Sequence, residues 1–286
     1  MRICIMGGDR RDLYLAKDLD ERGLHISISA LARAEEFEML HEEPDPTLAA
    51  QRADILICPV AGADKDGVLR RSSIPVHIPE VLRLTRNLRL LLIGSAAEPI
   101  AEVCREKGIV LVESMSDDEL AILNSVPSAE GAVKMAMERI DYTIHGSRSL
   151  VMGFGRTGQT LAGLLSSMGS ETAVAARKPS DRARVSALSM DPIAFDGLDS
   201  VLDRFDLIFN TIPALVLNED RLRLISKGAV IIDLASPPGG VDYSASKSLR
   251  IEAALAPGLP GIVAPRTAGR ILATVIPRLI REAGIG

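Results

Sequence analysis

Short apolar segments with the character of β-strands alternate with helical segments along the whole 286-residue chain. This alternation is typical of parallel βαβ units and restricts the chain to the α/β class. In the first half, strands are predicted near 2–6, 25–29, 54–58, 89–93 and 109–112. Five such strands with helices between them predict a doubly wound, flavodoxin-like domain.

A second series of strand-like segments follows in the other half of the chain. Strands are predicted at 149–152, 171–175, 192–195, 206–210, 229–233 and 251–255. Six parallel strands make a complete dinucleotide-binding sheet of the Rossmann type. The fold class predicted from the sequence is therefore α/β, with two doubly wound parallel-sheet domains joined by connector helices.

The segment between the two series is predicted to be helical. One helix starts at the acidic stretch 116–119, and another starts at Ser125 with Pro127 in its first turn. The predicted organisation has four parts, namely an N-terminal α/β domain at 1–120, a connector helix at 121–147, a Rossmann domain at 148–266 and a final helix at 267–286 that packs back on the first domain.

Composition excludes several classes of function. The net charge of −5 argues against a nucleic-acid partner, and the 3% of aromatic residues, with no Trp, argues against stacking platforms. Three widely spaced cysteines without a CxxC motif argue against disulfides and a metal site. No apolar run approaches ~18 residues, and the N-terminus lacks the layout of a signal peptide. We therefore expect a cytoplasmic protein with no membrane partner and no metal.

A GxGxxG motif, Gly153-Phe154-Gly155-Arg156-Thr157-Gly158, lies between a predicted strand and a predicted helix. In that context the first glycine permits a tight turn, the second lets the backbone approach a pyrophosphate, and the third lets the helix pack closely on the strand. The helix N-terminus adds N–H groups and a partial positive charge. The motif is predicted to bind a dinucleotide, and the alternative is an ordinary strand-to-helix turn.

The end of the next strand indicates which dinucleotide binds. An NAD site usually has Asp or Glu ~20 residues after the glycines, where it holds the ribose 2′-hydroxyl. This chain has Ala176-Arg177-Lys178-Pro179-Ser180 there, without a carboxylate. Arg177 can bind a 2′-phosphate through two hydrogen bonds, and Lys178 and Ser180 can assist. The segment predicts NADP(H), with a solvated basic turn as the alternative.

Ligands of doubly wound sheets bind at the carboxyl ends of the strands. Further cofactor contacts are therefore predicted at two strand ends, at Asn210, Thr211, Ile212 and Pro213 and at Asp233, Leu234 and Ala235. The candidates for substrate binding are Arg10, Ser128, Ser236, Arg266 and Thr267. Arg10 follows a second glycine-rich turn, Gly7-Gly8, for which a plain turn is the alternative.

Few residues are suited to proton transfer. His145 lies just before the second domain, and histidine can move a proton near neutral pH. Glu130, near the start of the second connector helix, is the other candidate catalytic residue. The alternatives are a histidine that packs or caps at a domain junction and an acid that stabilises the first turn of its helix.

Six motifs stand out between residues 124 and 275: NSVPSAEG at 124–131, DYTIHG at 141–146, GFGRTG at 153–158, NTIP at 210–213, DLASPPGG at 233–240 and APGLPGIVAP at 256–265. Together they resemble the A subunit of dipicolinate synthase. Over 1–120 the resemblance rests on the Gly7-Gly8-Asp9-Arg10 turn and the general layout. The last motif is also similar to that of alanine dehydrogenases and transhydrogenases. One departure is Pro237, where the family pattern leads us to expect arginine.

The resemblance implies a function in bacterial sporulation, in the mother cell. The family makes dipicolinate from a dihydrodipicolinate-type cyclic dicarboxylate of the lysine pathway, with a nicotinamide cofactor, and its partner is a flavoprotein-like B subunit. Two other functions stay open, a dehydrogenase of 2-hydroxy or amino acids and an NADPH-binding scaffold whose partner holds the catalytic groups. A homo-oligomer also stays open.

Overall fold

The computed structural model describes residues 1–285, which form two compact units. One unit consists of Met1–Asn124 and the residues from Ala264 onward, and the other is Ser125–Val263. Each unit contains one six-stranded sheet in which every pair of neighbouring strands is parallel. The prediction of two doubly wound α/β domains is confirmed.

The first unit carries its strands in the order β3-β2-β1-β4-β5-β6. The strands are β1 (Arg2–Met6), β2 (His25–Ser29), β3 (His41–Glu42), β4 (Ile55–Ile57), β5 (Leu90–Ile93) and β6 (Val110–Glu113). The helices wholly within this unit are α1 (Arg10–Glu21), α2 (Pro46–Arg52), α3 (Ile78–Leu84), α4 (Glu98–Lys107) and α11 (Pro265–Glu282).

The five predicted strands of this unit have the flavodoxin-like order, and β3 adds a sixth strand at the edge. The sequence did not predict β3, because His41 and Glu42 form a two-residue strand without an apolar pattern. Such a strand is stabilised by its pairing with β2, which the sequence around it does not reveal.

Aliphatic side chains fill both faces of the first sheet. Ile3 and Ile5 belong to a cluster with residues of α1 and α11, whereas Cys4 and Leu56 belong to a cluster with residues of α2, α3 and α4. Helix α11 packs closely on α1, because a Cβ at Gly269 would lie 2.6 Å from the Arg11 carbonyl oxygen. The three cysteines are buried free thiols, and burial raises the pKa of Cys4 to about 12.

The second unit has the strand order β12-β11-β10-β7-β8-β9, which is the Rossmann order. Its strands are β7 (Arg148–Met152), β8 (Glu171–Ala175), β9 (Asp191–Ile193), β10 (Leu207–Asn210), β11 (Val230–Asp233) and β12 (Glu252–Leu255). Its helices are α6 (Arg156–Ser167), α7 (Pro179–Ala187), α8 (Glu219–Leu222), α9 (Tyr243–Leu249) and α10 (Leu259–Val263).

The connecting segment differs from its prediction. It forms one helix, α5 (Asp118–Met137), with Pro127 inside it, instead of two helices. Proline cannot donate the helical hydrogen bond, but both halves of α5 bury apolar residues, Leu120 in the first unit and Ala129 in the second. This burial offsets the lost hydrogen bond. None of the helices in the described chain is long and apolar enough to cross a membrane.

Candidate functional site

The glycine-rich turn connects the carboxyl end of β7 to α6, between the ends of β8 and β10. A Cβ at Gly153 would lie 2.5 Å from the Thr211 Oγ1 atom, and a Cβ at Gly158 would lie 2.2 Å from the Gly153 carbonyl oxygen. By contrast, a Cβ at Gly155 would have no neighbour within 4 Å. The first and third glycines thus permit close packing, and the second leaves open space beside the backbone.

Helix α6 begins at this open space without a side-chain cap. Gly155 is its N-cap residue, and no side chain hydrogen-bonds to the first turn from that position. Phe154 is buried, Thr157 is half-buried and Arg156 is exposed. An uncapped N-terminus presents N–H groups and a partial positive charge, so the turn fits the pyrophosphate of a dinucleotide.

The end of β8 presents two cations and a hydroxyl beside this turn. Residue Ala175 pairs with Met152, and the Gly153 N–H donates to the Ala175 carbonyl oxygen over 2.9 Å. The side chains that follow are exposed, at Arg177, Lys178 and Ser180. Arg182 holds the backbone of this segment, because its guanidinium donates to the carbonyl oxygens of Ala176 and Arg177 over 3.0 and 2.7 Å. The segment is a fixed basic turn at the start of α7.

Asn210 and Asp233, predicted to contact a cofactor, are both fully buried at neighbouring strand ends. The Asn210 amide donates to the Asp233 carboxylate over 2.8 Å and to the Ile212 carbonyl oxygen over 3.0 Å. The Ile212 N–H donates to the Asn210 Oδ1 atom over 3.1 Å. Buried side chains with these partners can act on a ligand only through the loops that they hold.

The Asp233 carboxylate holds the loop 235–240 through three further donors. It accepts hydrogen bonds from the N–H groups of Ala235 and Gly240, over 3.1 and 2.7 Å, and from the Tyr243 hydroxyl, over 2.8 Å. Burial and the bond to Asp233 raise the pKa of Tyr243, which therefore stays protonated as a donor. Tyr243 was not predicted from the sequence, because only the fold brings it to the end of β11.

The other predicted residues at these two strand ends surround the same loops. Thr211 donates from its hydroxyl to the Met152 carbonyl oxygen over 2.9 Å and is half-buried, like Ile212 and Leu234. Ala235 is buried, whereas Pro213 and Ser236 are exposed. The loops therefore present mainly backbone groups and small side chains at the carboxyl edge of the sheet.

The structure places His145 at the amino ends of the strands, opposite the carboxyl ends that carry the glycine-rich turn. Its ring packs against Gly169, where a Cβ would lie 2.4 Å from the His145 Cδ2 atom, and both residues precede their strands. The glycine-rich turn lies at the other end of β7. Because β7 has five residues and a strand rises ~3.3 Å per residue, the two ends are about 16 Å apart. This position argues against the predicted proton transfer by His145 at a cofactor bound to the turn.

Glu130 and Ser128 lie on α5. Glu130 is exposed and lies in a groove beside Leu164 and Met168, which belong to the third turn of α6 and the residue after its end. This groove lies beside the end of α6 and not beside its start, so the position of Glu130 gives no support to its predicted catalytic role. Ser128 is half-buried, and Ser125, three residues earlier on the same helix, shares a hydrogen bond of 2.5 Å with Thr160 in the second turn of α6.

In the first unit, the Gly7-Gly8 turn is a packing element. The Gly7 N–H donates to the Ser29 carbonyl oxygen over 2.9 Å, and the Gly8 N–H donates to the Arg71 carbonyl oxygen over 2.8 Å. A Cβ at Gly7 would lie 2.8 Å from the same Arg71 oxygen. The plain-turn alternative accounts for these glycines, since neither N–H group is left for an anion.

Basic side chains surround the N-terminus of α1. Arg10 is exposed and paired with Glu36, whereas Arg11 and Arg71 both bind the Asp9 carboxylate, over 2.9 and 2.5 Å. These bonds lower the pKa of Asp9, which burial alone would raise.

Arg266 and Thr267 are exposed in the first turn of α11, whose residue Gly269 touches α1. Three predicted substrate residues thus lie at the start of two adjacent helices, and Arg71 was not predicted.

Comparisons with known proteins agree with this architecture. Residues 2–115 match the family model for the N-terminal domain of the dipicolinate synthase A subunit. The curated A subunit of dipicolinate synthase from Bacillus subtilis (strain 168) is 35% identical over an alignment of 291 positions, which covers 99% of this chain and 96% of that protein. The chain belongs to the family of dipicolinate synthase A subunits. The resemblance seen in the sequence motifs is confirmed over the full length, including the first 120 residues.

Solved structures of dipicolinate synthase A subunits have the same fold. The A subunit from Bacillus halodurans is 33% identical, with a TM-score of 0.88 over 98% of this chain and 97% of that chain. A transhydrogenase from Sinorhizobium meliloti shares only the fold, with 13% identity and a TM-score of 0.68 over 97% of this chain and 94% of that chain. The two-unit architecture is thus shared well beyond the family.

The second unit determines the class of chemistry. Residues 124–238 match the family model for the NAD binding domain of D-isomer specific 2-hydroxyacid dehydrogenases. This member of the dipicolinate synthase family is an NAD(P)-dependent oxidoreductase. No group of three or more His, Cys, Asp or Glu side chains within residues 1–285 is arranged to hold a metal ion.

Proposed function

We propose that this chain oxidises a dihydrodipicolinate-type precursor to dipicolinate with NADP⁺, as the A subunit of a dipicolinate synthase in sporulation. The observation that carries the proposal is the 35% identity to a curated A subunit over 99% of the chain. The open glycine-rich turn and the basic end of β8 add support for the cofactor. The proposed partner is the family's flavoprotein-like B subunit, and the proposed location is the mother cell.

The reaction removes two electrons and two hydrogens from the six-membered ring. Bound NADP⁺ would accept one hydrogen as hydride from a ring carbon, and the other leaves as a proton, which gives the aromatic dicarboxylate, NADPH and H⁺. Because aromatisation supplies driving force, the main task of the protein is alignment of the ring. Water can accept the released proton, so the proposed reaction does not depend on His145 or Glu130 as a base.

Different residues of this chain are proposed to bind the cofactor, to position the loops and to bind the substrate. Gly155 and the start of α6 would hold the pyrophosphate, and Arg177, Lys178 and Ser180 the 2′-phosphate. Asn210, Asp233 and Tyr243 position the loops that would line the nicotinamide end. The proposed substrate contacts are Arg10, Ser128, Ser236, Arg266 and Thr267, of which the two arginines supply positive charge for carboxylates.

Preference for NADP(H) can be tested at the end of β8. Replacing Arg177 by alanine should weaken NADPH binding about 10- to 100-fold, because a hydrogen bond to a charged group contributes about 1.5–3 kcal/mol. Binding of NADH should change little, since it lacks the 2′-phosphate. Fluorescence titration of both cofactors measures the effect. Arg184→Ala, which replaces an exposed arginine within α7, is the matched control and should bind NADPH normally. Equal losses for NADH and NADPH would contradict the assignment.

The reaction can be tested by incubating the purified chain with NADP⁺ and a dihydrodipicolinate-type substrate. We expect NADPH and dipicolinate to form in equal amounts, measured by absorbance and chromatography. The same assay with 2-hydroxy acids and amino acids tests the alternative dehydrogenases. Turnover of those acids without dipicolinate formation would contradict the proposal.

A second candidate function is an NADPH-binding scaffold whose partner supplies the catalytic groups. It is favoured by the positions of His145 and Glu130, since neither lies at the glycine-rich turn. The assay repeated with purified B subunit separates the two functions. Dipicolinate formation that requires the B subunit, together with normal NADPH binding by this chain alone, would support the scaffold.

A further inference from the structure

The first sheet has a topological switch point between β1 and β4. The chain continues from β1 to β2 and β3 on one side, and it then returns to β4 on the other side of β1. In doubly wound sheets, ligands bind outside the carboxyl ends of the strands at such a point. Asp9 and Arg11 follow β1, and Arg71 lies in the segment that follows β4. These three charged residues therefore come from the two strands that form the switch point.

Backbone hydrogen bonds fix the position of Arg71 at this edge of the sheet. The Gly8 N–H donates to the Arg71 carbonyl oxygen over 2.8 Å, and the Ser73 N–H donates to the Ala30 carbonyl oxygen over 2.9 Å. The segment around Arg71 is thus attached to the residues that follow β1 and β2. A side chain on a segment held in this way is preorganised, which lowers the entropy cost of binding a ligand.

Hydrogen bonds occupy both oxygens of the Asp9 carboxylate but only one nitrogen of Arg71. Oδ1 of Asp9 accepts from the backbone N–H and Nε of Arg11, and Oδ2 accepts from Nη2 of Arg11 and Nη1 of Arg71. Within residues 1–285, Asp9 is the only hydrogen-bonding partner of the Arg71 guanidinium. The Arg71 side chain is 30% exposed. Its Nε and Nη2 groups, the edge through which Arg11 binds Asp9, therefore remain for a ligand.

Positive charge exceeds negative charge in this cluster. Two guanidinium groups share one carboxylate. The other acid of the cluster, Asp12, is buried, and burial raises its pKa to about 7, so it supplies less than a full negative charge at neutral pH. Arg10, by contrast, has Glu36 as a partner at 2.5 Å. Because Arg11 is buried, the surplus positive charge is accessible at Arg71.

We propose that Arg71 binds one carboxylate of the cyclic dicarboxylate substrate through Nε and Nη2. A guanidinium edge matches the two oxygens of a carboxylate, which gives two parallel charged hydrogen bonds. The loops 211–216 and 235–240 of the second unit contain no charged side chain, so positive charge for the substrate has to come from other segments. Asp9 is a positioning residue, because it holds Nη1 of Arg71. This role rests on the proposed function and makes Arg71 select ligands with a second carboxylate.

Two pyridine carboxylates test this role on the full chain with bound NADPH. Isothermal titration calorimetry compares dipicolinate, which has two carboxylates, with pyridine-2-carboxylate, which has one. We expect the wild type to bind dipicolinate about 10- to 100-fold more tightly, as expected for hydrogen bonds between charged groups. In Arg71→Ala this ratio should fall to about 1, and Arg71→Lys should have an intermediate ratio, because lysine keeps the charge without the planar edge.

Arg70→Ala is the matched control, since Arg70 is the exposed neighbour of Arg71, and it should keep the wild-type ratio. All variants should bind NADPH normally. A wild type without preference for dipicolinate, an unchanged ratio in Arg71→Ala, or equal losses for both ligands, as a purely structural role would give, would each overturn the role of Arg71. If the wild type still forms dipicolinate in those cases, the proposed function stands; if it neither binds the ligands nor forms dipicolinate, both fail.

Discussion

Replacing Gly158 by alanine is expected to abolish binding of the nicotinamide dinucleotide and to destabilise the second unit. The new Cβ would lie 2.2 Å from the Gly153 carbonyl oxygen, a backbone atom, so α6 has to move away from β7. This movement displaces the N–H groups at the start of α6. We expect NADPH affinity to fall at least ~100-fold in a fluorescence titration, together with a lower thermal unfolding temperature.

Gly155→Ala separates packing from ligand contact in the same turn. A Cβ at Gly155 meets no protein atom within 4 Å, so the variant should unfold at the wild-type temperature. It should still weaken NADPH binding, since the methyl group lies in the space assigned to the pyrophosphate. Gly228→Ala is the control, because that Cβ also meets no atom and lies outside the turn. Normal NADPH binding by Gly155→Ala would contradict the assignment of this space.

Replacing Asp233 by alanine is expected to lower the free energy of unfolding by about 3–5 kcal/mol. The substitution removes a buried acceptor and leaves four donors without it, from Asn210, Ala235, Gly240 and Tyr243. Each buried donor that loses its partner costs about 1–3 kcal/mol, and some regain water. Urea unfolding followed by circular dichroism measures the change, and NADPH titration measures the accompanying displacement of the loop 235–240.

Tyr243→Phe is the matched control for Asp233→Ala. It removes one of the four donors and leaves the carboxylate bound to the other three, so its expected cost is only about 1 kcal/mol. A loss from Tyr243→Phe as large as that from Asp233→Ala would contradict a network shared among four donors, because phenylalanine keeps the ring and removes only the hydroxyl. Equal stability of Asp233→Ala and the wild type would contradict the network itself.

Local patterns predicted the fold well where each element carries its own signal. A helix is specified by ten or more consecutive residues with an amphipathic pattern. A strand of a parallel sheet is specified by a short run of aliphatic residues between turns. Strand β3 was missed because two residues carry no pattern. The single helix α5 was predicted as two, because Pro127 is a local signal for a helix start and the packing that offsets it is not local.

The structure has close packing at the first and third glycines of the turn and open space at the second, as the motif predicts. The prediction succeeded because the turn is formed by a short, continuous segment. Proton-transfer candidates could not be located in the same way. His145 is near β7 in sequence but precedes the strand, so the whole length of β7 separates it from the turn. For Glu130 the sequence predicts a position on a helix, but it does not predict which neighbouring element that face of the helix packs against.

The sequence by itself determined the α/β class, the membership suggested by the six motifs, and the glycine-rich turn, because these depend on residues close together in the chain. Only the tertiary structure decided that Asn210, Asp233 and Tyr243 form one buried network, and that Gly7 and Gly8 pack against a loop that includes Arg71. The physical reason is that hydrogen bonds and close contacts join residues from separate strands and loops. Their partners are specified by the arrangement of the sheet and not by the adjacent sequence.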